Sequence, residues 1–195
     1  MIKMLIFVNY KSSRNMYIVF DTETTGLPKD FSAPITDFDN WPRIVQIAWK
    51  VYDLNGKEIS SHNRIIKPDG FTIPQESIRI HRITNERANR NEIPLKKALD
   101  EFVSSISSSK FLIAHNISFD DRVTACEFLR LGMNNHMRDI THVCTMNSTI
   151  DFCRIQGKMG LKHPSLTELH QKLFEKKFED AHDALVDVEA LAKCF

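Results

Sequence analysis

A mixed α/β domain is the fold class this sequence predicts: five strands, the first three antiparallel, with helices packed on the sheet. Three observations carry that expectation. An apolar run rich in β-branched and aromatic residues, Tyr17-Ile18-Val19-Phe20, precedes an alternating run at 43–53 that turns at Asn55-Gly56 and returns over 58–67. Apolar residues recur at helical spacing in two later segments, as Leu95, Ala98, Leu99, Phe102 and Val103, and as Ala184, Leu185, Val188, Leu191 and Ala192. Short apolar stretches at 110–114 and 140–144 supply two further strands between the helices.

The first strand ends on chemistry. Asp21 and Glu23 follow its apolar run, and side chains at i and i+2 of a strand project from one face. Two like charges so close oppose each other's ionisation, and a divalent cation with oxygen ligands would remove that penalty. After Gly26 and Pro28 the chain enters a connection through 31–42 that is rich in turn formers, and a loop of that length often lines a site. The hairpin follows. Residues 74–83, which contain His81, have short helical character, and 94–106 form an amphipathic helix.

The strand at 110–114 ends in His115-Asn116, and 118–131 reads as a helix with Gly132 past its end. Short helices are expected at 146–152 and 166–174, and the last helix covers 183–195. Taken singly, Asp120 is a first-turn acid favoured by the helix dipole, and Asp187 a solvated acid on a surface helix. His182 and Asp187 are five residues apart, about 140° on an ideal helix. If both serve one site, His182 precedes the helix and Asp187 is fixed within it.

With 195 residues, 42% of them hydrophobic and 26% charged, the chain suits one well-buried core. A net charge of +1 gives no global footprint for nucleic acid, so a polyanion must be held by a local site or by metal. Cys126, Cys144, Cys153 and Cys194 form no C-x-x-C pair, which disfavours a zinc ribbon and suggests a reduced, cytoplasmic protein. The apolar start Met1 to Val8 is too short for a secretory signal, and no run approaches the roughly 18 apolar residues of a membrane span. Residues 1–15 are expected to be an arm or an added edge strand ahead of a single domain at 16–195.

Three motifs then stand in order: Phe20-Asp21-Thr22-Glu23-Thr24-Thr25-Gly26-Leu27, His115-Asn116-Ile117-Ser118-Phe119-Asp120, and Ala181-His182-Asp183-Ala184-Leu185-Val186-Asp187. Together they resemble the DEDDh family of 3′-to-5′ exonucleases, on the ribonuclease H-like fold, across nearly all of 16–195. Within it the chain is similar to the epsilon-type proofreading subunit of bacterial DNA polymerase III and its free-standing relatives. The resemblance implies that Asp21, Glu23, Asp120 and Asp187 hold two Mg²⁺ or Mn²⁺ ions and that His182 is the general base. It implies a nucleic acid with a free 3′ end as substrate, DNA ahead of RNA, and a DNA polymerase as potential partner. The alternatives are RNA 3′-end trimming by the same chemistry and a non-catalytic nucleic-acid-binding module.

By the same resemblance Thr24, Leu27, His81, Ile83, Asn116 and Phe119 contact the terminal nucleotides. The segment Ile80-His81-Arg82-Ile83-Thr84 is similar to one that usually reads His-Gly-Ile-Thr, with Arg82 in place of the glycine, which puts the local turn in question. Gln171-Lys172-Leu173-Phe174 faintly resembles a sliding-clamp peptide, but helical periodicity directs Leu173 and Phe174 to the core.

Overall fold

The computed structural model describes residues 16–91, 93–179 and 181–195, so the expected arm at 1–15 lies outside the described residues. The sheet has five strands: β1 (Met16–Thr24), β2 (Ile44–Asp53), β3 (Glu58–Ile65), β4 (Ser109–Ala114) and β5 (Thr141–Cys144). Their order is β3-β2-β1-β4-β5, with β1, β2 and β3 antiparallel and β4 and β5 parallel to β1. At the hairpin Gly56 takes φ 82°, the left-handed conformation glycine adopts without a Cβ penalty, and Asp53 accepts the N–H groups of Asn55 and Lys57, both at 2.9 Å.

The helices are α1 (Gln75–His81), α2 (Asn85–Asn91), α3 (Leu95–Ile106), α4 (Ile117–Arg130), α5 (Thr145–Ser148), α6 (Ile150–Cys153), α7 (Leu166–Phe174) and α8 (Ala184–Cys194). Three elements were not expected from sequence: α2, a 3-10 turn at His136–Asp139, and a small hairpin of Gln156–Gly157 with Gly160–Leu161. All are short and polar or glycine-containing, so apolar periodicity gives no signal for them.

Alternation along β1 divides the molecule into two layers. Ile18 and Phe20 face a large core with Trp49, Leu99, Phe102, Val123 and Phe128, contributed by α3 and α4 on one side of the sheet. Val19 faces the other side, against Ala184, Val188 and Leu191 of α8. Burying a large aliphatic or aromatic side chain contributes roughly 1.5–3 kcal/mol, and both layers are built from such residues. Strand β2 is therefore buried on both faces over its first eight residues, where alternation predicts one solvated face. Its polar residues face α8 and are satisfied there: Lys50 pairs with Glu58 at 3.1 Å and Glu189 at 2.9 Å.

Helix α4 also fixes the long loop between β1 and β2. Glu127, fully buried, accepts from Arg43 Nε at 2.8 Å and from the Ile44 N–H at 3.0 Å. Arg130 donates to the carbonyls of Phe38, Trp41 and Pro42. Across the loop, the Asp30 N–H donates to Asn40 Oδ1 at 2.7 Å and Asn40 Nδ2 returns a bond to the Asp30 carbonyl at 2.9 Å.

Two expectations about side chains are corrected. Leu173 and Phe174 do not face the core; they are 39% and 46% exposed. Helix α7 is anchored through Leu169 and His170, and Phe174 rests against the His170 ring with centroids 4.7 Å apart, outside the sheet's core layers. The turn at Arg82 is kept despite the missing glycine: Arg82 caps α1 at φ 60°, its N–H donating to the Ile78 carbonyl at 2.8 Å. Among the described residues no helix is long and apolar enough to cross a membrane.

Candidate active site

Strand β1 outruns its parallel neighbour. Pairing with β4 ends at Val19 opposite Ile113, and β4 stops at Ala114, so the residues of β1 from Thr22 onward face open space on that side. The first turn of α4 fills it. Asp120, 3% exposed, accepts from the Thr22 N–H at 3.1 Å and from the Thr22 hydroxyl at 2.7 Å. Asp21 and Glu23 have the parity of Val19 and so lie on the face covered by α8.

Helix α8 is aimed at these two acids by β2. Gln46, opposite Glu23 in register and fully buried, accepts from the Ala184 N–H at 3.2 Å and donates to Asn63 Oδ1 at 2.9 Å. Asp183 caps the helix, accepting from the Leu185 N–H at 3.0 Å. Asp187 stands in the first turn, and His182, exposed and with φ 74°, precedes the cap as its spacing predicts. The His182 N–H donates to Asp187 Oδ2 at 3.0 Å.

The four carboxylates converge. Burial, then the charges of Asp120, Asp187, Glu23 and Asp183, hold Asp21 well above the ordinary carboxylate range. Glu23 is pushed up to about 8, by burial and then by Asp187, Asp120 and Asp183. Asp120 rises to about 7 through burial, against which the two Thr22 hydrogen bonds pull down. Asp187 rises to about 6 through burial, opposed by the His182 N–H. The charges that raise Glu23 are all negative, and the His182 charge that lowers Asp187 opposes them only at that carboxylate. Donor atoms of Glu23, His182 and Asp187 lie within 4.8 Å of one another, and this carboxylate-rich set fits a divalent cation.

A cavity of about 270 Å³ adjoins the acids, lined by Thr22, Glu23, Thr24, Gly26, Leu27, Ser77, Ile80, His81, Phe119 and His182. Four of the expected nucleotide contacts are among them. Thr24 is tied locally, its hydroxyl donating to the Gly26 carbonyl at 2.6 Å, while Leu27 is 72% exposed. His81 is buried, which lowers its pKa, and its Nδ1 accepts from the Ile83 N–H at 3.0 Å.

The other two expected contacts fall elsewhere. Ile83 is fully buried with Val45, Ile73 and Ala88, so it offers no surface to a base and instead seats the His81 turn. Asn116 caps α4 at φ 71°, accepts from the Ser118 hydroxyl at 3.2 Å, and is not among the cavity's lining residues. Sequence reasoning missed Thr22, Gln46, Ser77 and Ile80. The signal for Gln46 is a lone amide in the apolar run Ile44-Val45-Gln46-Ile47-Ala48; Thr22 stands between the paired acids; Ser77 and Ile80 carry none.

A family model described as Exonuclease matches residues 18–195. The PolC-type DNA polymerase III of Mycoplasmopsis pulmonis is 29% identical over 145 residues, covering 72% of this chain and 9% of that protein. The PolC-type enzyme of Staphylococcus aureus is 28% identical over 180 residues, 92% of this chain and 11% of its own length. The chain thus spans about a tenth of the length of these relatives. Among solved structures, E. coli Exonuclease I in complex with a dT13 oligonucleotide superposes with a TM-score of 0.73 at 20% identity, over 92% of this chain and 40% of that one. A zinc-bound form of the E. coli Exonuclease I complex with single-stranded DNA gives 0.70 at 18% identity, over 92% and 39%.

Proposed function

The chain belongs to the exonuclease family, of the DEDDh type, and from that membership we propose that it hydrolyses the terminal phosphodiester at the 3′ end of DNA to release nucleoside 5′-monophosphates. The observation that carries this reading is the convergence of Asp21, Glu23, Asp120 and Asp187 beside a cavity of nucleoside size. A scaffold that merely binds a strand has no physical need for four gathered acids, two of which, Asp21 and Glu23, are raised by the charges of Asp120 and Asp187.

The acids would hold two divalent cations, Mg²⁺ or Mn²⁺, with Asp21 at the centre of the cluster; such ions supply an activated water and stabilise the departing oxygen. Thr24, Leu27, His81 and Phe119 line the cavity for the terminal nucleoside, with Leu27 exposed to meet a base. His182 stands at the boundary of cavity and cluster, where its imidazole takes a proton from the water that attacks phosphorus. The bond that breaks joins phosphorus to the 3′ oxygen of the penultimate nucleotide.

The PolC-type relatives support a DNA polymerase as the partner in whose company this activity serves proofreading. The test is incubation with labelled DNA and RNA oligonucleotides of equal sequence, with Mg²⁺, Mn²⁺ or chelator. Mononucleotides released in order from the 3′ end of DNA, only with metal, are expected. Faster release from RNA transfers the reading to 3′-end trimming, and intact oligonucleotides under every condition reject the enzyme altogether.

A further inference from the structure

Phe31, in the loop between β1 and β2, is 53% exposed although that loop is firmly braced. The Asp30 and Asn40 bonds close the loop behind it, and Arg122 of α4 donates to the Phe31 carbonyl. Its ring lies 6.4 Å from that of Phe119, tilted by 49°, and Phe119 is a wall of the cavity beside Glu23. The two rings thus continue the cavity wall outward, at a spacing at which apolar faces remain available on Phe31.

Past Phe31 the surface changes from aromatic to cationic. A cleft of about 360 Å³ lies between the loop, α4 and the start of β5, and Arg122, Arg138 and His142 are among its lining residues. Its one acid, Asp121, faces His142 Nε2 at 3.8 Å and lies in the field of both arginines, so the cleft sets two guanidinium charges against one carboxylate.

We propose that Phe31 and Phe119 form a stacking shelf for the bases that follow the terminal nucleotide of an unpaired DNA strand, whose next phosphates enter the Arg122 and Arg138 cleft. This deepens the exonuclease reading and rests on it. An aromatic shelf that leads into a positive groove is the general solution for holding single strands, because every base has a π face and every linkage a negative charge. Bases held in a duplex have their faces covered by neighbours, so the shelf selects frayed or unpaired ends.

The test compares two DNA substrates: a short single-stranded oligodeoxynucleotide and thymidine 5′-(4-nitrophenyl phosphate), which has no second base to stack. In Phe31→Ala the ratio of kcat/KM for the oligonucleotide to that for the ester falls about 5- to 100-fold, and Phe31→Trp restores it. In Arg138→Gln the slope of log affinity against log salt for the oligonucleotide decreases by about 0.7, the single-strand value for one phosphate contact. An unchanged ratio in Phe31→Ala, with the parent protein active on both substrates, overturns the shelf and leaves the exonuclease reading intact. A parent protein inactive on both overturns that reading; the shelf is then decided by fluorescence anisotropy of the same oligonucleotide, where equal binding by parent and Phe31→Ala rejects it.

Discussion

The N–H of His182 donates to Oδ2 of Asp187 at 3.0 Å, so the main chain of the expected proton acceptor is tied to the side chain of an expected metal ligand. The bond engages the backbone of His182 and leaves its imidazole on the exposed side of the cluster, ahead of the helix that fixes Asp187.

The two residues are therefore separable by substitution. His182→Ala is expected to lower turnover by about 10² to 10⁴ while Mn²⁺ affinity stays near that of the parent, since the proposed general base is lost and no carboxylate. Asp187→Ala removes both an expected ligand and the tether, and is expected to lose turnover and metal affinity together. Mn²⁺ titrations with single-turnover rates decide it. Because a ring nitrogen of His182 lies within 4.8 Å of the Glu23 and Asp187 donors, equal loss of metal in both variants would make the histidine a ligand.

Stability of the metal-free protein should depend on pH with a definite sign. Glu23, Asp120 and Asp187 are raised to about 8, 7 and 6 in the folded state, so folding favours their protonated forms. The stability this contributes is complete below the unfolded values near pH 4 and is lost as pH rises through the folded values. In chelator the Tm should fall between about pH 5 and about pH 8, and millimolar Mn²⁺ should suppress the fall by taking the place of the protons. A chelated Tm that stays level across this window would contradict the clustering of the acids.

Thr22→Val keeps the shape of the β1 end but removes the hydroxyl that donates to Asp120 at 2.7 Å. A buried carboxylate then loses one of two donors from Thr22, at a cost of about 1 to 3 kcal/mol. Urea unfolding in chelator measures that loss. Mn²⁺ binding at neutral pH should weaken as well, because the Asp120 proton competes more strongly; Thr22→Ser should recover both.

Gln46→Leu leaves the Ala184 N–H and Asn63 without the buried amide that joins them. About 1 to 3 kcal/mol of stability should be lost. The more telling readout is kcat, which should drop although Gln46 is not among the residues lining the cavity, since the start of α8 would no longer be held against Glu23. Unchanged kcat with reduced stability would confine Gln46 to packing.

Much of this arrangement was legible in the sequence because it follows from periodicity. The run before Asp21, the hairpin at Asn55-Gly56 and the helix at 166–174 depend on local pattern, and each lies where that pattern places it. The convergence of Asp21, Glu23, Asp120 and Asp187 was legible through the three motifs, and His182 ahead of α8 through its spacing from Asp187 once both are assigned to one site. What was not legible depends on neighbours distant in the chain. Whether Ile83 meets a base or a core depends on Ile73 and Ala88, and whether Leu173 is covered depends on how far α7 extends past its contacts. Gln46 and Thr22 act across 138 and 98 residues of chain, beyond the reach of any local pattern.

Alternation along β1 has a consequence for folding fidelity. The strand sends Ile18 and Phe20 into one layer, and Asp21 and Glu23 share the opposite face with Val19. A slip of one residue between β1 and β2 would exchange the faces and drive both carboxylates in among Trp49, Phe102 and Leu99. Their desolvation there, among apolar side chains that offer them no hydrogen bonds, would exceed what apolar contacts recover. The same acids that weaken the metal-free native state thus weaken its misregistered competitor far more, and the charges that equip the site for chemistry also enforce the alignment of the strands that build it.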